Sequence, residues 1–168
     1  MPCWTQFDPA PGITLLLAAS DRGICQISFT NDVPAAWTRS DTDPLLQEAM
    51  RQLGLYFHHH LQKFDLPLDL IGTPFQRKVW NGLLEIPYGR VISYAELAGR
   101  VDSPKAFRAV GAANGRNPVP IIVPCHRVIN AGGGLGGYSC GIHYKRRLLE
   151  LEGVHLEKQL HLLADAAV

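Results

Sequence analysis

Three short apolar runs, separated by turn residues, occupy the first part of the chain. Residues 3–7, 13–18 and 24–30 are rich in β-branched, aromatic and aliphatic side chains. Proline and glycine fill the interval at residues 9–12, and a polar interval ending in glycine follows at residues 20–23. Short β-forming runs with turns between them are typical of strands that pair with their sequence neighbours. The pattern predicts an antiparallel meander.

A helical repeat follows this sheet. Between Asp43 and about Leu61, apolar residues recur every three or four positions, at Leu45, Leu46, Met50, Leu53 and Phe57. A stripe with this period predicts a helix that covers one face of the sheet. Residues 1–72 are therefore predicted to form a small N-terminal α/β domain, in which we identify no candidate chemistry.

Helix signals dominate the chain after this domain. The Thr73-Pro74 pair supplies a cap and a first helical residue, and residues 93–96 form a capping box for a second helix. Residues 102–104 interrupt that helix and are expected to cap the next one, over residues 105–114. Two short helices joined by a tight turn are typical of a helix-turn-helix.

A final helix is predicted over residues 142–152, ending at Gly153, with a weakly amphipathic tail beyond it. The expected fold class is α/β. A small N-terminal antiparallel sheet plus helix is followed by a mainly helical C-terminal domain, residues 73–168, that contains the helix-turn-helix.

A cysteine beside a histidine stands out in the apolar segment at residues 118–129. Three prolines there remove backbone donors and restrict φ, so the segment is predicted to be a rigid strand that holds Cys125 in one orientation. Cysteine reacts as the thiolate, which needs a nearby base or cation at neutral pH, and His126 and Arg127 are the adjacent candidates. The alternative is a buried structural cysteine followed by surface charges.

Composition and charge indicate the cellular location of the protein and the kind of partner that it binds. The chain has 168 residues, 46% apolar and 18% charged, with no apolar run typical of a membrane span or export signal. We therefore expect a cytoplasmic protein. The net charge of +1 hides an asymmetry, because residues 1–72 hold four Lys/Arg and eight Asp/Glu, whereas residues 73–153 hold eleven and five. This basic region favours contact with a polyanion, although an ordinary solvated surface is equally compatible with it.

Other motifs give no sign of a cofactor. The four cysteines, at positions 3, 25, 125 and 140, form no disulfide framework and are expected to be free thiols. The histidines at 58–60 form no zinc spacing with Cys3 or Cys25 and are predicted to be the polar end of a helix. Glycine-rich residues 131–141 lack a phosphate-loop or dinucleotide fingerprint, so their backbone is expected to pass close to a ligand.

Seven motifs occur in order between Gly72 and Gly153. They are Gly-Thr-Pro-Phe-Gln at 72–76, Ile-Pro-Tyr-Gly at 86–89, Ser93-Tyr94, Arg108-Ala109-Val110-Gly111, Pro124-Cys125-His126-Arg127-Val128, Gly137-Tyr138 and Leu151-Glu152-Gly153. Together they resemble the O6-alkylguanine-DNA alkyltransferases, which repair DNA by moving an alkyl group from guanine to their own cysteine. The resemblance implies one turnover per molecule and no cofactor, and it leaves O4-alkylthymine open as a further substrate.

The resemblance also implies roles in the chemistry. Cys125 is the nucleophile, and it is activated by His126 through a bridging water, with Glu152 orienting the imidazole as in a catalytic triad. Tyr94 donates a proton or hydrogen bond to the departing guanine. Without the resemblance, Glu152 is equally an ordinary polar residue near a helix end, and Tyr94 a helix residue packed on the core.

For DNA, the resemblance implies a monomer that binds the minor groove of double-stranded DNA carrying O6-alkylguanine and flips the damaged nucleotide. Arg108 fills the gap in the duplex, beside a small-residue face formed by Ala109, Gly111 and Ala112. The alternatives are a phosphate contact or salt bridge for Arg108 and helix packing for the small residues. The implied base-pocket residues are Asn117, Pro120, Val128, Tyr138 and Ser139.

One residue departs from the family pattern, because Cys140 stands where relatives usually have glycine. It is expected to add bulk and a second thiol near the pocket, to hinder larger alkyl groups and to offer an oxidative partner for Cys125. The main alternative function is a non-catalytic alkyltransferase-like or helix-turn-helix DNA-binding protein, but such alkyltransferase-like relatives replace the reactive cysteine. A cysteine hydrolase has only the Cys125-His126 pair in its favour.

Overall fold

The computed structural model describes residues 1–156 of the chain. Its contacts form two compact units. The first comprises Met1–Ile71 together with Pro118–Pro120, and the second comprises Gly72–Asn117 together with the chain from Ile121 onward. The proline-rich segment before Cys125 is thus shared between the units, because the Pro118 carbonyl accepts a hydrogen bond from the Ile27 amide at 2.9 Å within the first unit.

The first unit is built on the predicted meander. Strands β1 (Cys3–Ala10), β2 (Ile13–Ala19) and β3 (Ile24–Ser28) pair in sequence, and both pairings are antiparallel. A two-residue strand that we did not predict, β4 (Thr38–Arg39), pairs parallel with β1 and completes the order β3-β2-β1-β4. Both β4 residues are exposed, so no apolar alternation marks them in the sequence.

Helix α1 (Pro44–Phe57) packs on this sheet, and its buried face includes Leu46, Leu53 and Phe57 of the predicted stripe, whereas Leu45 and Met50 are only half-buried. The Asp43 carboxylate caps it, because its Oδ1 accepts hydrogen bonds from the Leu45 and Leu46 amides at 3.0 Å each. The helix ends four residues earlier than predicted. His58 is its C-cap and the backbone of His59 turns to a φ of +62°, so the exposed histidines at 58–60 follow the helix.

The second unit is mainly helical, as predicted. It contains α2 (Pro74–Leu84), α3 (Tyr94–Arg100), α4 (Phe107–Gly115) and α5 (Ile142–Leu151), with a parallel pair of short strands, β5 (Ile92–Ser93) and β6 (Val128–Ile129). Thr73 and Gln76 form a full capping box on α2, and the Ser93 hydroxyl accepts from the Glu96 amide at 3.0 Å on α3. Gly153, with a φ of +75°, follows the C-cap of α5 as predicted.

Two local predictions in this unit are wrong. Helix α4 begins at Phe107, two residues late, and its N-cap, Ala106, has no side-chain hydrogen bond. The Ser103 hydroxyl instead bonds back to the Val101 carbonyl at 3.3 Å, so residues 102–104 make a turn and do not cap α4.

The predicted strand leading to Cys125 is also not formed. Cys125–Arg127 is a single turn of 3₁₀-helix, and the chain before it turns sharply at Ile121, whose φ is +75°. A positive φ is rare for a β-branched residue, and three prolines cannot donate to a strand ladder. The prolines therefore restrain the segment in the way we expected, but in an irregular conformation.

Within residues 1–156, no helix is long and apolar enough to cross a membrane. The same residues contain no cluster of three His, Cys, Asp or Glu side chains arranged to hold a metal ion. The predicted amphipathic tail beyond Gly153 lies largely outside the described residues.

Candidate active site

Cys125 is held in one position by the turn that contains it. Its side chain is almost fully buried, and its amide donates to the Val123 carbonyl at 2.8 Å. Asn117 fixes the same carbonyl, because its Nδ2 donates to Val123 O at 2.7 Å. The Cys125 sulfur lies 3.8 Å from the Tyr138 hydroxyl oxygen. Cys125 therefore belongs to a restrained turn, and its sulfur faces the glycine-rich segment at Tyr138.

The Cys125 thiol is protonated at rest. Burial raises its pKa above the usual value, and this outweighs the hydrogen bonds from Asn117 and Tyr138 and the positive charge of Lys145, which lower it. Because those three groups favour the thiolate, they stabilise it once the proton is removed. A base is needed to remove that proton.

His126, Glu152 and Arg127 form a buried network beside the cysteine turn. His126 Nε2 lies 2.7 Å from Glu152 Oε1, and Arg127 donates to both carboxylate oxygens, at 2.9 Å and 3.0 Å. The remaining contacts are from the Gly89 amide to Glu152 Oε2 at 3.1 Å and from Arg127 Nη1 to the Ile86 carbonyl at 2.6 Å. Arg127, which we considered as a neighbour that activates the cysteine or as a surface charge, is in fact the buried ion-pair partner of Glu152.

In this network the His126 imidazole is neutral, and one of its ring nitrogens, Nδ1, can still accept a proton. Burial lowers the pKa of His126 despite the adjacent Glu152. Burial also opposes ionisation of Glu152, but the hydrogen bonds and charges of His126 and Arg127 outweigh it and hold the pKa of that carboxyl well below its usual range. A carboxylate can only accept, so the imidazole proton is on Nε2. Nδ1 is buried and has no hydrogen-bond partner within residues 1–156, so its lone pair is available to take a proton.

Sequence reasoning missed the part played by Lys145. This lysine on α5 is completely buried, and its Nζ donates to the carbonyls of Val128 at 2.6 Å, Leu135 at 2.5 Å and Gly137 at 3.4 Å. It thereby ties the glycine-rich segment to β6. Burial lowers the pKa of Lys145 to about 8. The helical spacing could have indicated its burial, because Lys145 lies three and four positions before Leu148 and Leu149 and shares the buried face of α5 with them.

A cleft of about 810 Å³ opens between α3, α4 and the glycine-rich segment. Among the predicted residues, Tyr94, Gly111, Tyr138 and Ser139 line it, and the cleft wall also includes Phe107, Asn114 and Asn130, to which we gave no role. The glycine-rich backbone at Gly137 lies in this wall, so it does border a space for a ligand. A cavity of this size is in the usual range for small-molecule sites.

The other predicted residues lie away from the cleft wall. Arg108, Ala109 and Ala112 are exposed on α4, and Val128 and Pro120 are buried. Pro120 belongs to the first unit. The structure thus brings Cys125, His126 and Glu152 together as the chemical group, and Tyr94 and Tyr138 together at the cleft.

Cys140 is half-buried, and it is absent from the cleft wall that its neighbours Tyr138 and Ser139 help to form. Burial and the nearby charge of an ionised Cys125 raise the pKa of Cys140 to about 11. All four cysteines are free thiols in the structure. Cys140 is therefore a protonated neighbour of the reactive thiol, and the structure gives no support to the bulk that we expected it to add to the pocket.

Fold and site match one class of protein, the DNA alkyltransferases. The family described as "6-O-methylguanine DNA methyltransferase, DNA binding domain" matches residues 74–154, and its "ribonuclease-like domain" matches residues 13–70. The chain is 47% identical over 144 residues to a methylated-DNA–protein-cysteine methyltransferase of Methanosarcina acetivorans, an alignment that covers 83% of this chain and 91% of the relative.

Solved structures agree. The crystal structure of the Mycobacterium tuberculosis O6-methylguanine methyltransferase superposes with a TM-score of 0.83 at 44% identity, covering 90% of this chain and 93% of that one. The structure of the M. tuberculosis protein in complex with DNA superposes with a TM-score of 0.79 at 45% identity, covering 90% and 91%. The chain belongs to the O6-methylguanine-DNA methyltransferase family.

Proposed function

We propose that this protein repairs double-stranded DNA by moving an alkyl group from O6 of guanine to the sulfur of Cys125. The observation that carries the proposal is the buried thiol beside a neutral histidine whose Nε2 is held by an ionised Glu152. A named relative, the Methanosarcina acetivorans protein, is a methylated-DNA–protein-cysteine methyltransferase, and the M. tuberculosis neighbour has been crystallised with DNA.

The transfer is a displacement at the alkyl carbon. His126 takes the thiol proton at Nδ1, directly or through a water molecule, and Glu152 stabilises the imidazolium that results. The S–C bond forms as the C–O6 bond breaks, and Tyr94 donates a hydrogen bond to the departing base. The base leaves as guanine with one proton in place of the alkyl group, so the reaction balances without a redox partner. The thioether has no route back to the thiol, so each molecule acts once.

Base flipping brings the lesion to the site, because O6 is not accessible to a buried thiol while the base is stacked. In this proposal α4 enters the minor groove with its exposed small residues Ala109 and Ala112 against the DNA, and Arg108 fills the gap. Tyr138 and Ser139, which line the cleft, cover the flipped base. Asn117 holds the turn, and the carbonyls of Cys125 and Val128 face the base amine.

The proposal also covers the cellular location of the protein and the roles of its two domains. We place the protein in the cytoplasm, as a monomer, because Cys125 must remain a free thiol and a reducing compartment keeps it so. Residues 73–168 carry DNA binding and transfer, and residues 1–72 form a separate N-terminal α/β domain. O4-alkylthymine remains a candidate second substrate.

Mass spectrometry of the intact protein tests the proposal. After incubation with duplex DNA containing O6-methylguanine, we expect a gain of one methyl group in place of hydrogen, located on Cys125 by peptide mapping. Unmodified duplex and the Cys140→Ser variant are the matched controls, and the variant should be methylated as the parent is. A protein that binds the DNA but gains no mass would be a non-catalytic lesion binder, and the proposed transfer would be wrong.

A further inference from the structure

Phe107 is an exposed aromatic side chain at the edge of the cleft. It is the first residue of α4, it is 51% exposed, and it forms part of the cleft wall. Four other large apolar side chains are exposed within residues 1–156, at positions 1, 71, 84 and 142, but none of them is aromatic and none lines this cleft. A scattered apolar residue on a surface is ordinary, whereas an exposed ring at the entrance of a candidate site is a candidate contact.

Phe107 lies where the cleft wall meets the exposed face of α4. Gly111 and Asn114, four and seven residues further on, line the same cleft, so one stripe of the helix forms that wall. Arg108 and Ala112 are exposed on the neighbouring stripe, about 100° around the helix. A base that moves from a duplex on the exposed face into the cleft therefore passes Phe107.

The side chain of Phe107 is left uncovered by its own helix. Helical side chains lean toward the N-terminus, so the residue one turn further on normally covers the surface beside position 107. That residue is Gly111, which has no side chain, and the other neighbour, Val110, is buried. The exposed half of Phe107 is therefore open to a partner from another molecule.

The surroundings of Phe107 indicate a nucleic acid as that partner. Lys105, Arg108 and Arg116 are exposed on or beside α4, and residues 103–149 contain no Asp or Glu. Cations around an aromatic ring suit a chain of phosphates and planar bases, because the cations neutralise phosphate and the ring stacks on a base. An opened duplex offers both, since flipping one nucleotide exposes the faces of the bases that remain in the stack.

We infer that Phe107 is a wedge that stacks on the base next to the lesion in the same strand once the damaged nucleotide has been flipped. The inference rests on the proposed function and adds a contact to it. Arg108, which lies outside the cleft wall, fills the gap, and Phe107, on the cleft side, holds the neighbouring base. Because the face of that base is covered in a closed duplex, the contact stabilises the flipped state more than it stabilises binding to closed DNA.

Two variants of Phe107 test the wedge. Single-turnover transfer from duplex DNA containing O6-methylguanine, at protein concentrations below saturation, should slow by about tenfold in Phe107→Ala, the typical loss for one aromatic–base stack. Phe107→Tyr keeps the ring and should retain the parent rate. Leu84→Ala is the matched control, because Leu84 is 42% exposed at the end of α2 and is absent from the cleft wall, and its rate should equal that of the parent.

Binding and fluorescence supply readouts that a purely structural role would not change. In a Cys125→Ser background, which holds the lesion without reacting, Phe107→Ala should weaken duplex binding. The slope of log affinity against log salt should stay the same, because no phosphate contact is lost. The fluorescence of 2-aminopurine is quenched by stacking, so this base, placed next to the lesion in the same strand, should be brighter in the complex with Phe107→Ala than in the complex that keeps Phe107.

The inference is wrong if Phe107→Ala repairs the duplex at the parent rate, if Phe107→Tyr loses as much as Phe107→Ala, or if the 2-aminopurine signal is the same with and without the ring. If the parent binds the lesion duplex but takes up no methyl group, the proposed function fails, and binding and fluorescence still test Phe107. Thermal unfolding checks that the variants fold. Should the alanine variant unfold, Phe107→Leu, which keeps apolar bulk without a ring, replaces it with the same expected loss.

Discussion

The polar groups of the buried network around Glu152 and those on the exposed face of α4 differ in whether they are paired within the protein. His126, Arg127 and Glu152 are almost completely buried and pair with one another. Arg108, at the start of α4, is exposed and has no ion pair within residues 1–156. The buried network is therefore complete in the protein alone, whereas the exposed face of α4 is proposed to gain its partners from the nucleic acid.

This difference makes a general prediction about variants. Changes in the buried network should lower stability and should slow transfer from every substrate. The same charged groups stabilise the fold and orient His126, the proposed general base. Changes on α4 should leave stability nearly unaltered and should matter only for duplex DNA.

The largest effect is expected from Cys125→Ser. We predict no detectable transfer to DNA or to the free base O6-benzylguanine, because an unactivated hydroxyl is a far poorer nucleophile than a thiolate. Duplex binding, measured by fluorescence anisotropy, should be retained since α4 is untouched. Measurable methylation of the variant would mean that another residue accepts the group.

Glu152→Gln should affect both stability and rate. The change leaves the buried Arg127 charge without its partner, which typically costs about 3–5 kcal/mol of unfolding free energy. It also removes the group that stabilises imidazolium, so the single-turnover rate should fall by roughly 10²-fold. Urea unfolding and rapid-quench transfer assays measure the two effects. An exposed carboxylate, Glu150 on α5, supplies the control Glu150→Gln, which should change neither.

Acid should weaken the buried network in two steps. The folded-state pKa of His126 is lowered, so the unfolded chain takes up the proton more readily and stability falls as the pH drops below the ordinary imidazole value of about 6.5. The folded-state pKa of Glu152 is lowered as well, so a further loss begins below the ordinary carboxyl value of about 4.3.

Urea unfolding across this pH range measures both steps. Glu152→Gln should lose most of the second step because the titrating carboxyl is gone, and other carboxylates should contribute equally to parent and variant. Identical pH profiles for the two proteins would show that the network does not carry the acid sensitivity.

Arg108→Ala should act on one substrate only. Repair of duplex DNA should slow by roughly tenfold to a hundredfold, since extruding a nucleotide costs a few kcal/mol and the arginine is proposed to fill the gap. Reaction with free O6-benzylguanine, if that base is accepted, should be unchanged. Arg116, also exposed but beyond the other end of α4, is the matched control, and Arg116→Ala should slow duplex repair much less. Equal losses on both substrates would place the defect in the pocket.

Local signals in the sequence predicted most of the helices. They failed where contacts with distant residues determine the conformation. Thr73 and Ser93 cap helices through residues three positions away, so their pattern is visible in any short window. Ser103 resembles a cap, but it bonds backward to Val101, and nothing local distinguishes the two outcomes. The turn at Ile121 was equally invisible, since a β-branched residue normally indicates a strand.

The site shows the same division. The resemblance supplied Cys125, His126 and Glu152, and the structure adds the geometry that connects them. Arg127 was interpreted as a neighbouring or surface charge and Lys145 was given no role, because lysine and arginine are rarely buried without partners. Their partners, Glu152 for one and three backbone carbonyls for the other, lie far away in sequence.

The smallest effect is expected from Cys140→Gly. From the sequence, this change should favour benzyl over methyl transfer by removing bulk from the pocket. In the structure, Tyr138 and Ser139 line the cleft and Cys140 does not. We therefore predict that the ratio of benzyl to methyl transfer rates changes by less than about twofold, the range of substitutions outside a packed site. Peptide mapping should find no alkyl group on Cys140 of the parent, whose thiol stays protonated at neutral pH because its pKa is about 11. A clear rise in the ratio would mean that Cys140 enters the cleft when the base is bound, and that the glycine-rich segment adapts to its substrate.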